Sequence, residues 1–284
     1  MTPVLQIDDL QVHFPTSRGP VKAVDGVSLA LAPGERLGLI GESGSGKSTL
    51  ALAIMRLIKP PGRIAGGRIV LDGVDLLSLS EEQMRRCRLA EIALITQGAM
   101  NSLNPVIRIR PQMVDSLKAH GIDLSKSGYD DFLAQLLHSV GLEPEVTSLF
   151  PHQLSGGMKQ RICIATAISL RPKVIIADEP TSALDVVVQR RVMESLRKVQ
   201  DEIGCAVILI GHDMGLMAQF AQRVAVMRYG QILEENGVNE IFANPQHPYT
   251  RLLMESLPSL DHRESFQNLA RLQVEAIATM GIEP

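Results

Sequence analysis

The sequence is poor in cysteine. Its three cysteines, Cys87, Cys163 and Cys205, lie far apart, and none forms a CxxC pair or a cysteine–histidine pair at the spacing of a metal site. Neither a structural zinc nor an iron–sulfur cluster is therefore expected. We expect reduced thiols, with Cys163 and Cys205 as small residues of the core.

Long apolar runs and clusters of basic residues are also absent. No stretch approaches the roughly 20 consecutive apolar residues of a membrane helix, and residues 1–9 lack the pattern of an export signal. With 28 basic and 31 acidic residues, the formal charge of −3 provides no electrostatic footprint for nucleic acid and no polybasic anchor. We therefore expect a cytoplasmic protein that does not cross a bilayer and has no nucleic acid partner.

The composition is that of a globular protein, and strand patterns are interspersed with helical ones. At 284 residues and 45% hydrophobic content, the chain can form one large domain or a domain plus an appendage. Apolar runs typical of strands lie at 4–14, 23–31, 36–40, 68–71, 93–96, 174–177 and 206–210. The first two runs predict an antiparallel hairpin, and the helical spacing within 105–149 predicts an inserted helical subdomain.

A glycine-rich loop separates the strand at 36–40 from a helical pattern at 48–58. It consists of Gly41, Glu42, Ser43, Gly44, Ser45, Gly46, Lys47, Ser48 and Thr49. Its glycines let backbone N–H groups turn toward one point, and the helix N-terminus adds the positive end of its dipole. Lys47 would then reach the outer phosphates of a nucleotide, and the Ser48 hydroxyl would bind the accompanying Mg²⁺. The alternative is a glycine-rich turn without a ligand.

A second segment of this kind opens a long helical pattern. Ser155, Gly156 and Gly157 put a hydroxyl and two glycines at a helix N-terminus, where backbone N–H groups can hold an anion. The chain therefore has two predicted phosphate-binding helix ends but a single glycine–lysine loop. The second helix end requires an explanation.

Polar residues that follow buried apolar runs are candidates for catalysis. Asp178 could hold Mg²⁺, and Glu179 could polarise a water that attacks the γ-phosphate, although adjacent acids could instead cap a helix. Gln97 could bind Mg²⁺ through its amide oxygen and position water. His212 could hydrogen-bond the γ-phosphate and Glu179. Taken singly, Gln97 and His212 would more often be ordinary surface residues.

Phe14 has two interpretations. It lies upstream of the glycine loop, where an aromatic ring could stack on an adenine base. A core aromatic in a half-buried strand explains it equally well.

Together these stretches resemble the nucleotide-binding subunit of an ATP-binding cassette (ABC) transporter over roughly residues 4–258. The motifs occur in that family's order: Walker A at 41–49, Q-loop at Gln97, signature at 154–157, Walker B end at Asp178 and Glu179, D-loop at 182–185, switch histidine at His212. The resemblance implies an α/β fold, a P-loop NTPase core of the RecA type with an antiparallel β subdomain. It also implies an inserted α-helical subdomain at about 98–170, within an ATPase domain spanning 1–258.

The resemblance also implies roles for individual residues. ATP and Mg²⁺ are the expected cofactors, with Glu179, His212 and Gln97 in catalysis and with Ser48, Gln97 and Asp178 around the metal. Two ATPase subunits of this family pack head to tail. The signature residues 155–157 of one subunit then cap the γ-phosphate on the glycine loop of the other, which explains the second anion-binding helix end.

A finer resemblance points to the oligopeptide, dipeptide and nickel importer branch. It comes from the segments 101–105 and 151–153 and above all from 244–253, with the sequence NPQHPYTRLL. The expected partners are a second ATPase, identical or related, two integral membrane permease subunits and, indirectly, a solute-binding protein. The expected location is the cytoplasmic face of the inner membrane, with peptide, nickel and oligosaccharide all open as solutes.

The chain departs from this branch in two places. Many members carry a cysteine cluster in the C-terminal extension, whereas residues 259–284 contain no cysteine. Gly98 and Ala99 also replace an aspartate–proline pair that often follows the Q-loop. Within the extension, Phe266, Leu269, Leu272 and Ile277 predict a weak amphipathic helix or a packing tail.

The sequence leaves two other functions to be considered. One is a soluble ABC-type ATPase that acts in DNA repair, on chromosomes or on ribosomes, but such relatives usually have long coiled-coil or zinc insertions or two cassettes in one chain. The other is a non-hydrolysing regulatory subunit. The presence of both Glu179 and His212 favours turnover instead.

Overall fold

The computed structural model describes residues 2–256. The amphipathic pattern expected at Phe266, Leu269, Leu272 and Ile277 lies outside these residues. The strands are β1 (Leu5–Thr16), β2 (Gly19–Leu31), β3 (Arg36–Ile40), β4 (Arg63–Leu71), β5 (Val74–Asp75), β6 (Ile92–Ile95), β7 (Val174–Asp178), β8 (Ala206–Ile210), β9 (Arg223–Arg228) and β10 (Gln231–Gly237).

The α-helices of this part of the chain are interspersed with the strands in sequence, and the last two follow β10. They are α1 (Lys47–Ile54), α2 (Glu81–Ala90), α3 (Ile109–Lys118), α4 (Lys126–Ser139), α5 (Gly156–Ile168), α6 (Val186–Ile203), α7 (Met214–Phe220), α8 (Val238–Ala243) and α9 (Pro248–Glu255). Short 3₁₀ turns lie at Leu76–Ser78, Ala99–Asn101, Pro144–Ser148 and Pro151–Gln153.

The core sheet has six strands in the order β10-β9-β3-β8-β7-β6. All neighbouring strands pair in parallel except β10, which is antiparallel to β9. Alternate residues of β7 enter two separate hydrophobic clusters: Ile175 and Ala177 join one, Val174 and Ile176 the other. Burial on both faces explains why the core strands read as continuous apolar runs. This sheet confirms the predicted P-loop NTPase class of fold.

A four-stranded antiparallel sheet in the order β2-β1-β4-β5 packs beside this core. The predicted hairpin is present, with Leu5 opposite Leu31 and Phe14 opposite Val21. Leu5, Leu10 and Val24 of this sheet share a hydrophobic cluster with Leu37 of β3 and with helix α1. The hairpin therefore lies against the strand and the helix that hold the glycine loop between them.

Helix α1 ends earlier than the apolar spacing over 48–58 predicts. It stops at Ile54 because Arg56 adopts a left-handed conformation with φ of 51°. The Arg56 side chain donates to the carbonyl oxygens of Leu76 and Leu79, at 3.0 and 2.6 Å. These tertiary hydrogen bonds favour the turn over another helical turn.

Helices α3, α4 and α5 lie in sequence between β6 and β7. The segment 105–149, which the sequence predicts to be mostly helical, contains α3, α4 and a 3₁₀ turn. Leu133, Leu137 and Val140 are buried in the cluster that also contains Ile162 and Ile164 of α5. The boundaries of a helical subdomain at about 98–170 stay a prediction.

The described cysteines are free thiols, as expected. Cys205 is buried in the hydrophobic core, and Cys163, which is half-buried, packs against the same core. Burial raises the pKa of both thiols to about 11, so they stay protonated and unreactive.

None of the helices within residues 2–256 is both long and apolar enough to cross a membrane.

Candidate functional site

The glycine loop joins the end of β3 to the start of α1 and lies directly on β9. Gly41 has a φ of 150°, and a Cβ atom at this position would come within 2.1 Å of the Met227 carbonyl oxygen. Helix α1 begins at Lys47 after the left-handed Gly46, and no side chain caps it. The first N–H groups of the helix therefore remain available to an anion.

Lys47 is folded back over the loop and buried. Its Nζ donates to the carbonyl oxygens of Gly41 and Glu42, each at 2.8 Å, and to Ser45 Oγ at 3.3 Å. Burial lowers the pKa of the Lys47 ammonium, and nearby carboxylates, Glu179 foremost, oppose that shift. A buried ammonium held mainly by neutral carbonyls is well suited to phosphate, whose negative charge would compensate its desolvation.

Asp178 fits a metal ion bound beside the loop. This aspartate is 7% exposed, and its Oδ1 is buried without a hydrogen-bond partner. Burial raises the pKa of its carboxyl, while a hydrogen bond with the Ser48 side chain acts in the opposite direction. An unpaired buried carboxylate oxygen is costly unless a cation faces it, so Asp178 and Ser48 suit Mg²⁺.

Besides Ser48, Asp178 and Gln97, which are the predicted protein ligands, the phosphates of a bound nucleotide would supply further ligands to the metal. Within residues 2–256, no three histidine, cysteine, aspartate or glutamate side chains are grouped as a self-sufficient metal site requires. Mg²⁺ characteristically binds one or two protein groups together with substrate phosphates and water. The donor set therefore suits a metal that arrives with its nucleotide.

Gln97, Glu179 and His212 form one hydrogen-bonded group. Gln97 Nε2 donates to Glu179 Oε2 at 2.8 Å, and His212 Nδ1 lies 3.3 Å from Glu179 Oε1. The three residues follow β6, β7 and β8, whose parallel alignment brings their carboxyl ends to one edge of the sheet. The structure thus brings together three candidates that lie far apart in sequence.

The backbone of Glu179 aims its side chain at these partners. Glu179 leaves the strand in a left-handed conformation, with φ of 45°, and its N–H donates to the Ile210 carbonyl oxygen at 2.9 Å. Its side chain is 20% exposed, whereas that of His212 is 71% exposed. A carboxylate held on both oxygens at the rim of the sheet has a defined orientation toward incoming water.

Ser155 begins helix α5 on an exposed part of the surface. Its Oγ accepts the N–H of Met158 at 3.3 Å as the N-cap. Behind it, a Cβ atom on Gly157 would come within 2.4 Å of Val188 Cγ1 on α6. The close approach of the two helices therefore requires glycine here, and the serine is left facing outward.

Phe14 is half-buried on β1, and its role toward adenine stays a prediction. Its ring packs on Gly62, where a Cβ atom would come within 2.4 Å of the ring carbon Cε1. The opposing strand passes from Val21 to Ala23, whose carbonyl oxygen lies against Gly46 of the loop. The hairpin thus connects the ring to the phosphate cradle.

Two further contacts hold the glycine loop. Tyr249 Oη accepts the N–H of Glu42 at 3.3 Å, and the Gly230 N–H donates to the Ser45 carbonyl oxygen at 2.9 Å. In the sequence, the segment 244–253 indicates only a transporter branch, and Tyr249 within it was not predicted as a site residue. The tyrosine ring itself offers a general signal, because large aromatic side chains are often buried against another element.

A nucleoside triphosphate is the ligand class that all these groups fit. The loop and Lys47 suit its phosphates, Ser48 and Asp178 its metal, and Glu179 a water next to the last phosphate. The fold and the site are thus those of a P-loop NTPase.

Comparison with known proteins narrows this class. The ABC transporter family matches residues 24–182, and the oligopeptide/dipeptide transporter C-terminal region matches 233–281. The chain is 46% identical to the dipeptide transport ATP-binding protein DppD of Haemophilus influenzae, over 92% of this chain and 80% of that protein. It is 45% identical to the oligopeptide transport ATP-binding protein OppD of Bacillus subtilis, over 92% and 74% of the two chains.

A solved structure agrees with these matches. It is a dimeric, post-hydrolysis ATP-binding cassette bound to ADP and Pi, 26% identical, with a TM-score of 0.73 over 82% of this chain and 98% of that one. The chain therefore belongs to the ABC transporter ATP-binding family and is an ABC ATPase. Nothing in these comparisons supports the alternative of a soluble ATPase in DNA repair or translation.

Proposed function

We propose that this chain is the ATP-hydrolysing subunit of an importer that takes up peptides. The observation that carries the proposal is Glu179, held between Gln97 and His212 at the same sheet edge as the Lys47 loop. The match of residues 233–281 to the oligopeptide/dipeptide transporter C-terminal region supports peptide as the solute. The names of the dipeptide and oligopeptide transport relatives support it as well.

In this proposal the phosphates of ATP lie on residues 41–49, with Lys47 on the outer ones. Ser48 and Asp178, with the amide oxygen of Gln97, hold Mg²⁺, which would neutralise charge on the β- and γ-phosphates. Glu179 orients and deprotonates the attacking water, and His212 hydrogen-bonds Glu179 and the γ-phosphate. Phe14 stacks on the adenine.

The active site is completed by a second ATPase subunit packed head to tail. Ser155 is exposed at the start of α5, and Gly156 and Gly157 contact residues outside the glycine loop of their own chain. The signature of one subunit would therefore cap the γ-phosphate held by its partner. Hydrolysis removes the γ-phosphate and with it that contact. The closed dimer is then no longer favoured over the open dimer, and it reopens.

The dimer would act from the cytoplasmic face of the membrane, under two permease subunits. Val106 is 78% exposed and Ile107 38% exposed, in the segment that follows the Q-loop residue Gln97. Adjacent exposed apolar residues suit contact with another protein. In this arrangement Gln97 links the nucleotide site to the segment that contacts the permeases, so a displacement of Gln97 on ATP binding would also displace that segment.

Uptake by the reconstituted complex tests the proposed function. The ATPase is purified with its permeases, placed in proteoliposomes with ATP at the ATPase side, and supplied with the solute-binding protein and labelled solutes. We expect ATP-dependent accumulation of di- or oligopeptides. Accumulation of nickel or oligosaccharide without peptide would contradict the peptide assignment, and uptake independent of ATP would contradict the ATPase role.

Substitution of Ser155 tests the shared active site. We expect Ser155→Ala to lower kcat/KM for ATP roughly 10- to 100-fold, as for a lost hydrogen bond to a charged group. Mixed dimers of differently tagged Ser155→Ala and Lys47→Ala subunits retain one intact composite site. Their ATPase activity should therefore exceed that of either variant alone.

Ser125→Ala is the matched control for this substitution. Ser125 is also an exposed N-cap, accepting the Gly128 N–H at 3.1 Å at the start of α4. This variant should keep wild-type activity, because its helix end binds no phosphate. Mixed dimers no more active than Ser155→Ala alone would mean that each site is contained within one subunit.

A further inference from the structure

The segment 244–253, within the part of the chain that matches the oligopeptide/dipeptide transporter C-terminal region, contacts the phosphate-binding loop. Tyr249, near the start of α9, is 4% exposed, and its Oη accepts the backbone N–H of Glu42 at 3.3 Å. Glu42 is the second residue of the glycine loop, so a side chain 207 positions further along the chain binds the loop backbone. Tyr249 itself lies outside the nucleotide motifs.

The hydrogen bond fixes one particular peptide group. The Glu42 N–H and the Gly41 carbonyl belong to the same planar, trans peptide unit and point in opposite directions. The Gly41 carbonyl oxygen accepts from Lys47 Nζ at 2.8 Å. Tyr249 and Lys47 therefore hold the two sides of one peptide plane, and rotation of that plane would break both hydrogen bonds.

Tyr249 is itself held by several groups. The Glu234 carboxylate of β10 accepts the N–H groups of Gln246 and His247, at 2.8 and 2.9 Å. His247 Nδ1 in turn accepts the Tyr249 N–H at 3.1 Å and caps α9. The Arg228 guanidinium stacks over the Tyr249 ring, 4.2 Å from its centroid.

We propose that Tyr249 is a positioning residue for ATP binding: by orienting the Gly41–Glu42 peptide, it preorganises the loop that presents Lys47 to the phosphates. The inference rests on the proposed nucleotide site and extends it, because it gives the 244–253 segment a part in that site. A loop without this contact would have to be ordered by the nucleotide at each binding event, which weakens affinity.

Tyr249→Phe tests the inference, because it removes the hydroxyl and keeps the ring over Arg228. We expect the Kd for Mg-ATP of the purified full chain, measured with a fluorescent ATP analogue and by calorimetry, to rise roughly three- to tenfold, as for one lost hydrogen bond. In the assembled transporter KM should rise by a similar factor, while kcat at saturating ATP changes less than twofold.

Tyr129→Phe is the matched control. Tyr129 is also 4% exposed, and its hydroxyl donates to a backbone carbonyl, that of Ile122, at 2.7 Å in the helical segment. Both variants should lose some thermal stability, and Tyr249→Phe alone should lose ATP affinity. Equal Kd values for Tyr249→Phe and wild type would overturn the inference and leave the proposed function intact, whereas wild type that fails to bind Mg-ATP would overturn both.

Glu234→Ala provides an independent route to the same contact. It removes the acceptor that holds Gln246 and His247, and so releases Tyr249 without altering it. We expect a similar loss of ATP affinity, and no further loss when Glu234→Ala and Tyr249→Phe are combined, because both act through one contact. Additive losses would contradict a shared route through Tyr249.

Discussion

Glu179→Gln is expected to lower ATP hydrolysis by roughly 10²–10⁴-fold, the usual contribution of a general base, while ATP binding persists. The amide retains an oxygen to accept the hydrogen bond from Gln97 Nε2, which spans 2.8 Å in the wild type. The neutral amide cannot take a proton from water. The variant should therefore accumulate as an ATP-bound dimer, measurable by size-exclusion chromatography and by phosphate release from the assembled complex.

The control for this prediction is a glutamate of the same chain that lies outside the site. Glu194 is 64% exposed on α6 and pairs with Arg190 at 3.1 Å. Glu194→Gln should hydrolyse ATP at the wild-type rate and should not trap a dimer. A Glu179→Gln variant that turned over ATP at the wild-type rate would show that another group activates the water.

Lys47→Ala is expected to weaken ATP binding by roughly 10- to 100-fold. Charge-assisted hydrogen bonds contribute about 1.5–3 kcal/mol each, and about 1.4 kcal/mol corresponds to a factor of ten. Lys47 also holds the carbonyl oxygens of Gly41 and Glu42, so its loss loosens the empty loop as well. Isothermal titration calorimetry with Mg-ATP measures the change.

Lys198→Ala separates this effect from a general loss of positive charge. Lys198 is 62% exposed on α6, with Glu202 as its partner at 3.8 Å. Its substitution should leave the Kd for Mg-ATP unchanged. Undiminished affinity of Lys47→Ala, in a variant whose thermal unfolding shows it to be folded, would contradict the role of Lys47 in the phosphate cradle.

The core strands and the glycine loop were predictable because each is determined locally. Continuous apolar runs indicate strands buried on both faces, and the order strand, glycine loop, helix has few structural solutions. The family match and the sheet topology confirm the class of protein and its fold. The predicted end of α1, at residue 58, was wrong because local periodicity contains no information on the hydrogen bonds from Arg56 to Leu76 and Leu79.

The convergence of Gln97, Glu179 and His212 could be expected but not measured from sequence. Each ends a different strand, and the order of strands in the sheet decides which ends are neighbours. Tyr249 was missed as a site residue, because no motif relates the 244–253 segment to a loop some 200 residues earlier. The contact of Tyr249 with the loop depends on the path that the chain takes after β10, and local sequence patterns do not reveal that path.

The sequence by itself therefore determined the class of this ABC ATPase, and it predicted a phosphate loop, an aspartate for the metal and a glutamate for water, each from a few consecutive residues. Only the tertiary structure decided how that chemistry is oriented. In the folded chain, Gln97 and His212 hold the two oxygens of Glu179, and Asp178 Oδ1 is buried without a hydrogen-bond partner. The Gly41–Glu42 peptide is held on one side by Lys47 and on the other by Tyr249. Hydrogen-bond direction depends on distances and angles between residues remote in sequence, which local patterns do not contain.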